Sequence, residues 1–236
     1  RGYPRAPSDD TTTIMTHLRK VTETDLELLA TGAWILGAGG GGDPYHSLLA
    51  LKSLYSEGIS TSLLDPEDLA DDARIAVVSS MGAPLVSEER LTDPQVAARA
   101  VQMMEEYVGH GFDAVMSLEI GGSNALQPFM VAAFTGLPVL DADTMGRAYP
   151  EAQMSSFAIG DLRPYPLTLA DPRGVETVVS KVPTWKWMER ISRKVCTEVG
   201  STAATCKAPR TGREVKEWGI LRTVSQAIGI GDAVHA

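Results

Sequence analysis

Ala114-Val-Met-Ser-Leu-Glu-Ile-Gly-Gly-Ser-Asn-Ala-Leu-Gln-Pro-Phe-Met-Val-Ala-Ala-Phe-Thr-Gly-Leu-Pro-Val-Leu-Asp-Ala-Asp-Thr-Met-Gly-Arg-Ala-Tyr-Pro-Glu151 is the stretch that decides the fold. Residues 114–118 form an apolar run of strand length, closed by Glu119 and two glycines. Residues 125–135 read as a helix, and Gly136-Leu-Pro138 turns the chain into a second short strand at 139–140. That strand runs straight into a polar loop. Strand, loop, helix and strand at this spacing make the unit from which parallel sheets are built.

The same alternation extends upstream. Residues 74–79 (Arg-Ile-Ala-Val-Val-Ser) read as a strand buried on both faces, and a helix is expected from about 93 to 108, closed by Gly109-His-Gly111. Nearer the start, Thr22-Glu-Thr-Asp25 announces a helix with Leu26, Leu29 and Trp34 on its stripe, ending at Gly37. Asp43-Pro44 opens another helix that stops at Gly58, and residues 60–64 give a further strand. Downstream of Phe157 the texture changes. Prolines and Asp171-Pro172 punctuate short strand-like pieces, and a helix begins near Thr184. The expected fold is therefore α/β, a largely parallel sheet flanked by helices. Residues 1–20 are expected to be a flexible segment, 21–175 an α/β domain, and 176–236 a partial second domain or C-terminal extension too short for a core of its own.

Charge narrows the function classes. The formal net charge of −9, spread along the chain, disfavours nucleic-acid and anionic-membrane partners, which require a basic surface. No apolar run reaches spanning length, and the polar, proline-containing start has no h-region, so a cytoplasmic protein is expected. Cys196 and Cys206 fit neither a disulfide framework nor a zinc pattern. A small-molecule site is the reading left.

Three constellations carry candidate chemistry. Gly37-Ala-Gly39-Gly40-Gly41-Gly42 satisfies the dinucleotide pattern literally, but that mechanism needs a strand before the glycines, where a helix is expected. No nucleotide cofactor is therefore expected, and a dinucleotide-dependent oxidoreductase falls if residues before Gly37 are helical. The amides of such a run remain able to cradle an anion or carbonyl oxygen, with Asp43 and His46 beside them; close packing of helices is the structural alternative. The second constellation is Asp141-Ala-Asp143-Thr-Met-Gly-Arg147, at a strand's carboxyl end. If the strand continues, Asp141 and Asp143 share a side, where they can ligate a cation or divide into acid and base. Arg147 can pair with one of them, or the group can be a structural clamp. Third is Glu119-Ile-Gly-Gly-Ser-Asn124, another strand end, where Glu119 can reach a ligand and Asn124 can cap the next helix.

Taken together, Gly32-Ala-Trp-Ile-Leu-Gly-Ala-Gly-Gly-Gly-Gly-Asp-Pro-Tyr45, Met81-Gly-Ala-Pro84, Glu119 to Asn124 and Asp141 to Glu151 resemble the S-methyl thiohydantoin desulfurase family in order and spacing. Glu189-Arg-Ile-Ser-Arg193, Thr223-Val-Ser-Gln-Ala227 and Ile230-Gly231 are similar to that family's continuation. Members run on into a long β-rich second domain, so the resemblance implies an α/β domain followed by the truncated start of that domain. It also implies hydrolysis of a five-membered thiohydantoin- or hydantoin-like ring at a C–S or C–N bond. Asp141, Asp143 and Glu119 are then expected to activate water or hold a divalent metal, zinc being favoured. Arg147 would orient those carboxylates, and Gly39 to Gly42, Asp43, His46 and Asn124 would hold the ring. The alternative is a non-catalytic subunit that binds a hydantoinase/oxoprolinase-like partner. A homo-oligomer is expected in either case.

Overall fold

The computed structural model describes residues 18–90 and 93–236. The first 17 residues, most of the segment expected to be flexible, lie outside the described part. Residues Leu18–Val21 form β1, and Thr22 then starts α1 (Glu23–Gly37). Its hydroxyl accepts the Asp25 N–H at 3.1 Å, and the Asp25 carboxylate accepts the Thr22 N–H at 2.8 Å. This reciprocal cap satisfies two amides that the helix leaves free.

Further along the chain come α2 (Tyr45–Ser56), β2 (Thr61–Leu64), β3 (Arg74–Gly82), α3 (Pro84–Glu89), α4 (Gln95–Val108) and β4 (Ala114–Ser117). These are followed by α5 (Gln127–Thr135), β5 (Val139–Leu140), β6 (Ala142–Asp143), α6 (Ser156–Ile159), β7 (Leu167–Ala170) and β8 (Glu176–Val179). The last elements are α7 (Trp185–Glu198), β9 (Thr202–Thr211), α8 (Gly212–Trp218), β10 (Ile220–Leu221) and α9 (Thr223–His235).

Among the described residues the sheet has eight strands in the order β1-β2-β5-β4-β3-β9-β7-β8. It is mixed, which corrects the expectation of a largely parallel one. Among the described residues the β2–β5, β5–β4 and β4–β3 pairings are parallel and the other pairings of this sheet are antiparallel. The strand–helix rhythm behind that expectation lasts only to residue 140. Beyond it β7 and β8 form a hairpin around Asp171, whose carboxylate accepts the N–H groups of Arg173 and Val175. Turn chemistry of this kind replaces a crossover helix and forces antiparallel pairing.

Residues 176–236 do not stand apart from this core. β9 pairs with β3 along nearly its whole length and with β7 over Ala204, Thr205 and Cys206. Its Pro209 cannot donate to a ladder, and the register jumps there, Ile75 opposing Arg210 while Val77 opposes Lys207. A bulge is where a buried strand accommodates proline.

Both faces of the sheet are covered. Ala76 and Val78 pack with side chains of α1, α2, α4 and α5, whereas Ile75 and Val77 pack with Phe157, Trp185 and Val215 of α6, α7 and α8. That two-sided burial explains why β3 is an unbroken apolar run. α9 crosses α1 so closely that a β-carbon at Gly32 would stand 1.9 Å from the Ala227 carbonyl oxygen. No helix among the described residues is long and apolar enough to cross a membrane.

Candidate active site

The carboxyl ends of β3 and β4 open into a cleft of about 340 Å³. Strand ends are where open α/β sheets bind ligands, because the backbone stops pairing there and the connecting loops diverge. On one side the wall is glycine against glycine. Gly41 has φ 75° and its β-carbon would meet the Gly121 carbonyl oxygen at 2.1 Å; Gly122 has φ 67° and would meet that of Gly42 at 2.5 Å. Only residues without side chains allow the loop after α1 to lie this close to the loop after β4. The Ser123 N–H donates to the Gly42 carbonyl at 3.0 Å and fixes the contact. The run follows a helix, so the strand-to-helix turn of a dinucleotide site is not formed.

Glu119 lies at the floor, 8% exposed. The Asn124 side-chain amide donates to its Oε1, and the Tyr149 N–H donates to Oε2 at 3.0 Å. Asn124 is itself held through its Oδ1, which accepts the Ser80 N–H at the end of β3 at 2.6 Å. Burial raises the Glu119 pKa, against the opposing pull of the Tyr149 N–H, the Asn124 amide and the nearby Lys207. A carboxylate with a raised pKa is a stronger base than one in water and still has a direction.

Opposite stands Lys207 of β9, 3% exposed. Its side chain is turned to the cleft face of the sheet, where Glu119, Glu189 and Arg193 act on it electrostatically. Burial pulls its pKa down to about 8, with Glu189 and Glu119 resisting and Arg193 assisting. Among the described residues no hydrogen bond or ion pair engages its ammonium. Glu189 has a different duty. It accepts from Arg193 Nε at 2.6 Å and from the Ala152 N–H at 3.2 Å, while Arg193 Nη2 donates to the Pro150 carbonyl at 3.1 Å. This pair clamps the loop that carries the Tyr149 N–H.

The aspartates expected beside Glu119 lie elsewhere. Asp143 Oδ2 accepts the N–H groups of Ile120, Met145 and Gly146, and its fully buried carboxyl has a pKa pushed up to about 7 by burial. Asp141 Oδ1 accepts the Val224 and Ser225 N–H groups, capping α9. Neither lines the cleft. The strand breaks between β5 and β6, so alternation does not hold, and free amides on two different segments claim the two carboxylates. Arg147 is exposed, 5.5 Å over the Tyr149 ring, and pairs with neither aspartate among the described residues. Gly41, Gly42, Asp43 and His46 do line the cleft; Gly39 and Gly40 do not. The Asp43 carboxylate accepts the Tyr45 N–H at 2.8 Å, and Asn124 holds Glu119 rather than capping a helix.

These positions do not fit a zinc centre. Asp141, Asp143 and Glu119 each face a different set of donors, and no group of three or more His, Cys, Asp or Glu converges among the described residues.

Sequence reasoning missed Lys207, Gln127 and the Tyr149 N–H. Lys207 had a signal: Ala203-Ala-Thr-Cys-Lys-Ala is an apolar strand run interrupted by one cation, and a lysine that must be buried is rarely idle. Gln127 lines the cleft at 6% exposure, with no hydrogen bond from its side chain among the described residues. A second cavity of about 320 Å³, walled by Leu49, Val96, Ala97 and Met130, opens beyond His46, Ser47, Ser80 and Gln127.

A three-layer α/β core with a polar cleft at its strand ends is the plan of a ligand-binding α/β domain. Residues 24–181 match the S-Me-THD-like N-terminal domain and residues 183–236 the S-Me-THD-like C-terminal domain. The chain belongs to this family, as the resemblance to S-methyl thiohydantoin desulfurases implied, and the family's name is that of an enzyme. A crystal structure of a protein from Chromobacterium violaceum superposes with a TM-score of 0.79 at 24% identity, over 92% of this chain. That likeness concerns the fold, and the chain spans 62% of that protein's length. No curated protein matches the chain.

Proposed function

We infer that the cleft carries out hydrolytic desulfurisation of a five-membered thiohydantoin-type ring. The observation that carries this reading is Glu119: a buried carboxylate with a raised pKa, both oxygens aimed by fixed donors, at the floor of a cleft large enough for one small ring. Glu119 takes a proton from water as the hydroxyl adds to the sulfur-bearing carbon. The C–S bond then breaks, its electron pair leaves with sulfur, and Glu119 returns the proton to give a thiol or hydrogen sulfide.

Ring recognition falls to groups with spare hydrogen-bonding capacity. The Gln127 amide presents a donor and an acceptor, complementary to the C=O and N–H edge of a hydantoin. Asp43 and the Gly41–Gly42 backbone face the same space. The apolar cavity beyond Gln127 gives room for a ring substituent.

The test is release of thiol or sulfide, followed colorimetrically, when the chain is incubated with 2-thiohydantoins and S-alkyl thiohydantoins. Turnover by the wild type, reduced at least about 100-fold in Glu119→Gln, is expected for loss of a general base. Absence of any product, with the fold intact, would discard this reading in favour of a non-catalytic, partner-binding role.

A further inference from the structure

Lys207 is a cation that the fold holds at a cost, and nothing in the architecture uses it. It occupies the middle of β9, opposite Val77 in a sheet covered on both faces. A buried ammonium is normally paired, because desolvation penalises the bare charge. Arg193 shows the contrast, since its guanidinium pairs with Glu189 and donates to the Pro150 carbonyl. Lys207 has no such partner among the described residues, and its open side is the cleft. Glu119, across the cleft, is close enough for each group to shift the other's titration.

We propose that Lys207 is the second reacting group of the cleft, its ammonium binding the ring nitrogen next to the sulfur-bearing carbon and supplying that nitrogen's proton. This assignment rests on the desulfurase reading above. Addition of hydroxyl to a C=N bond puts an electron pair on nitrogen, and Lys207 protonates it while Glu119 holds the proton taken from water. When the C–S bond breaks, Glu119 protonates sulfur, and the added hydroxyl gives its proton to the Lys207 amine as the C=O bond forms. One water is consumed, one thiol leaves, and both side chains regain their starting states. The cycle needs Glu119 ionised and Lys207 protonated. It also needs an amine acid enough to give its proton up and basic enough to recover it, the condition that a lysine titrating near 8 meets at neutral pH. The ligand class that follows is a five-membered ring with an S-substituted C=N bond, whose nitrogen accepts a hydrogen bond from the ammonium.

The experiment has two readouts on the full chain. In the first, acetylation of individual lysines by a water-soluble acyl donor is followed by mass spectrometry between pH 6 and 11, with and without hydantoin. Lys207 should label with a midpoint near 8, with the exposed Lys186 followed in the same samples as the reference. Hydantoin should slow Lys207 labelling at least about fivefold and leave Lys186 unchanged. In the second, Lys207→Met and Lys207→Arg are assayed for thiol release across pH. Wild type should give a bell-shaped profile, methionine should lose at least about 100-fold, and arginine should retain ring binding, its reduced residual turnover showing no alkaline limb.

Turnover unaffected by Lys207→Met, or Lys207 labelling that matches Lys186 and ignores hydantoin, overturns the assignment and leaves the desulfurase reading standing. Hydantoin protection of Lys207 without turnover of any thiohydantoin instead overturns the desulfurase reading, and the proton-transfer role with it, leaving a ring-binding amine.

Discussion

Asn124 donates its side-chain amide to Glu119 and accepts the Ser80 N–H through the same group's oxygen. One side chain thus ties the end of β3 to the carboxylate that follows β4. It fixes Glu119 in direction and stabilises its charged form, against burial that favours the neutral one.

Replacing Asn124 with alanine leaves the Ser80 N–H and one Glu119 oxygen without these partners. The expected cost is about 1–3 kcal/mol in denaturant unfolding. With a donor to its charged form removed, the Glu119 pKa rises further, so the acid limb of any pH–rate profile moves to higher pH. A limb that stays in place would mean that Asn124 does not tune Glu119.

Asp143 gives the fold a pH dependence of definite sign. Its folded pKa of about 7 lies above the ordinary 3.8 for an aspartate. Between those values the native state binds the extra proton, so this group's contribution to stability is full at acid pH and is lost as pH rises to about 7. Asp143→Asn should flatten that part of the stability curve, measured by urea unfolding at a series of pH values. An unchanged slope would show that Asp143 is ionised throughout.

Asp141 is a helix cap on this account, so its loss is structural. Asp141→Ala frees the first amides of α9 and should cost about 1–2 kcal/mol. Amide exchange should quicken at Val224 and Ser225, while any turnover stays within about threefold of wild type. A loss as large as that of Glu119→Gln, in a folded protein, would restore Asp141 to the chemistry.

Gly32 is the point where α1 and α9 touch. A methyl group there collides with a backbone carbonyl, which cannot swing aside, so Gly32→Ala should cost about 3 kcal/mol or more. Hydrogen exchange should show α9 loosening before the sheet. An unperturbed α9 would contradict the close crossing.

Much of this was legible in residues 74–79 and 114–140, because a strand buried on both faces is an unbroken apolar run and its helix must follow. Glu119 and Asn124 were singled out by the rule that ligands gather at strand ends, and both line the cleft. The place of β9 was not, since its partner β3 is far away in sequence and no local signal encodes that pairing. Period-two reasoning failed at Asp141 and Asp143 because β5 ends between the apolar run and the first aspartate. Both carboxylates then answer to amides of loops and of α9, contacts that spacing alone does not carry. Lys207 went unseen for the related reason that no strand was read at residues 202–211, a stretch left as part of a partial second domain or C-terminal extension.

In the desulfurisation proposed above, Glu119 activates water against a thiohydantoin-type ring. The most direct measurement is the initial rate of thiol release from an S-alkyl thiohydantoin, wild type against Glu119→Gln, with folding matched by circular dichroism. A wild-type rate well above the uncatalysed one, falling at least about 100-fold in the variant, is the result expected for loss of a general base. Equal rates in the two proteins would contradict it.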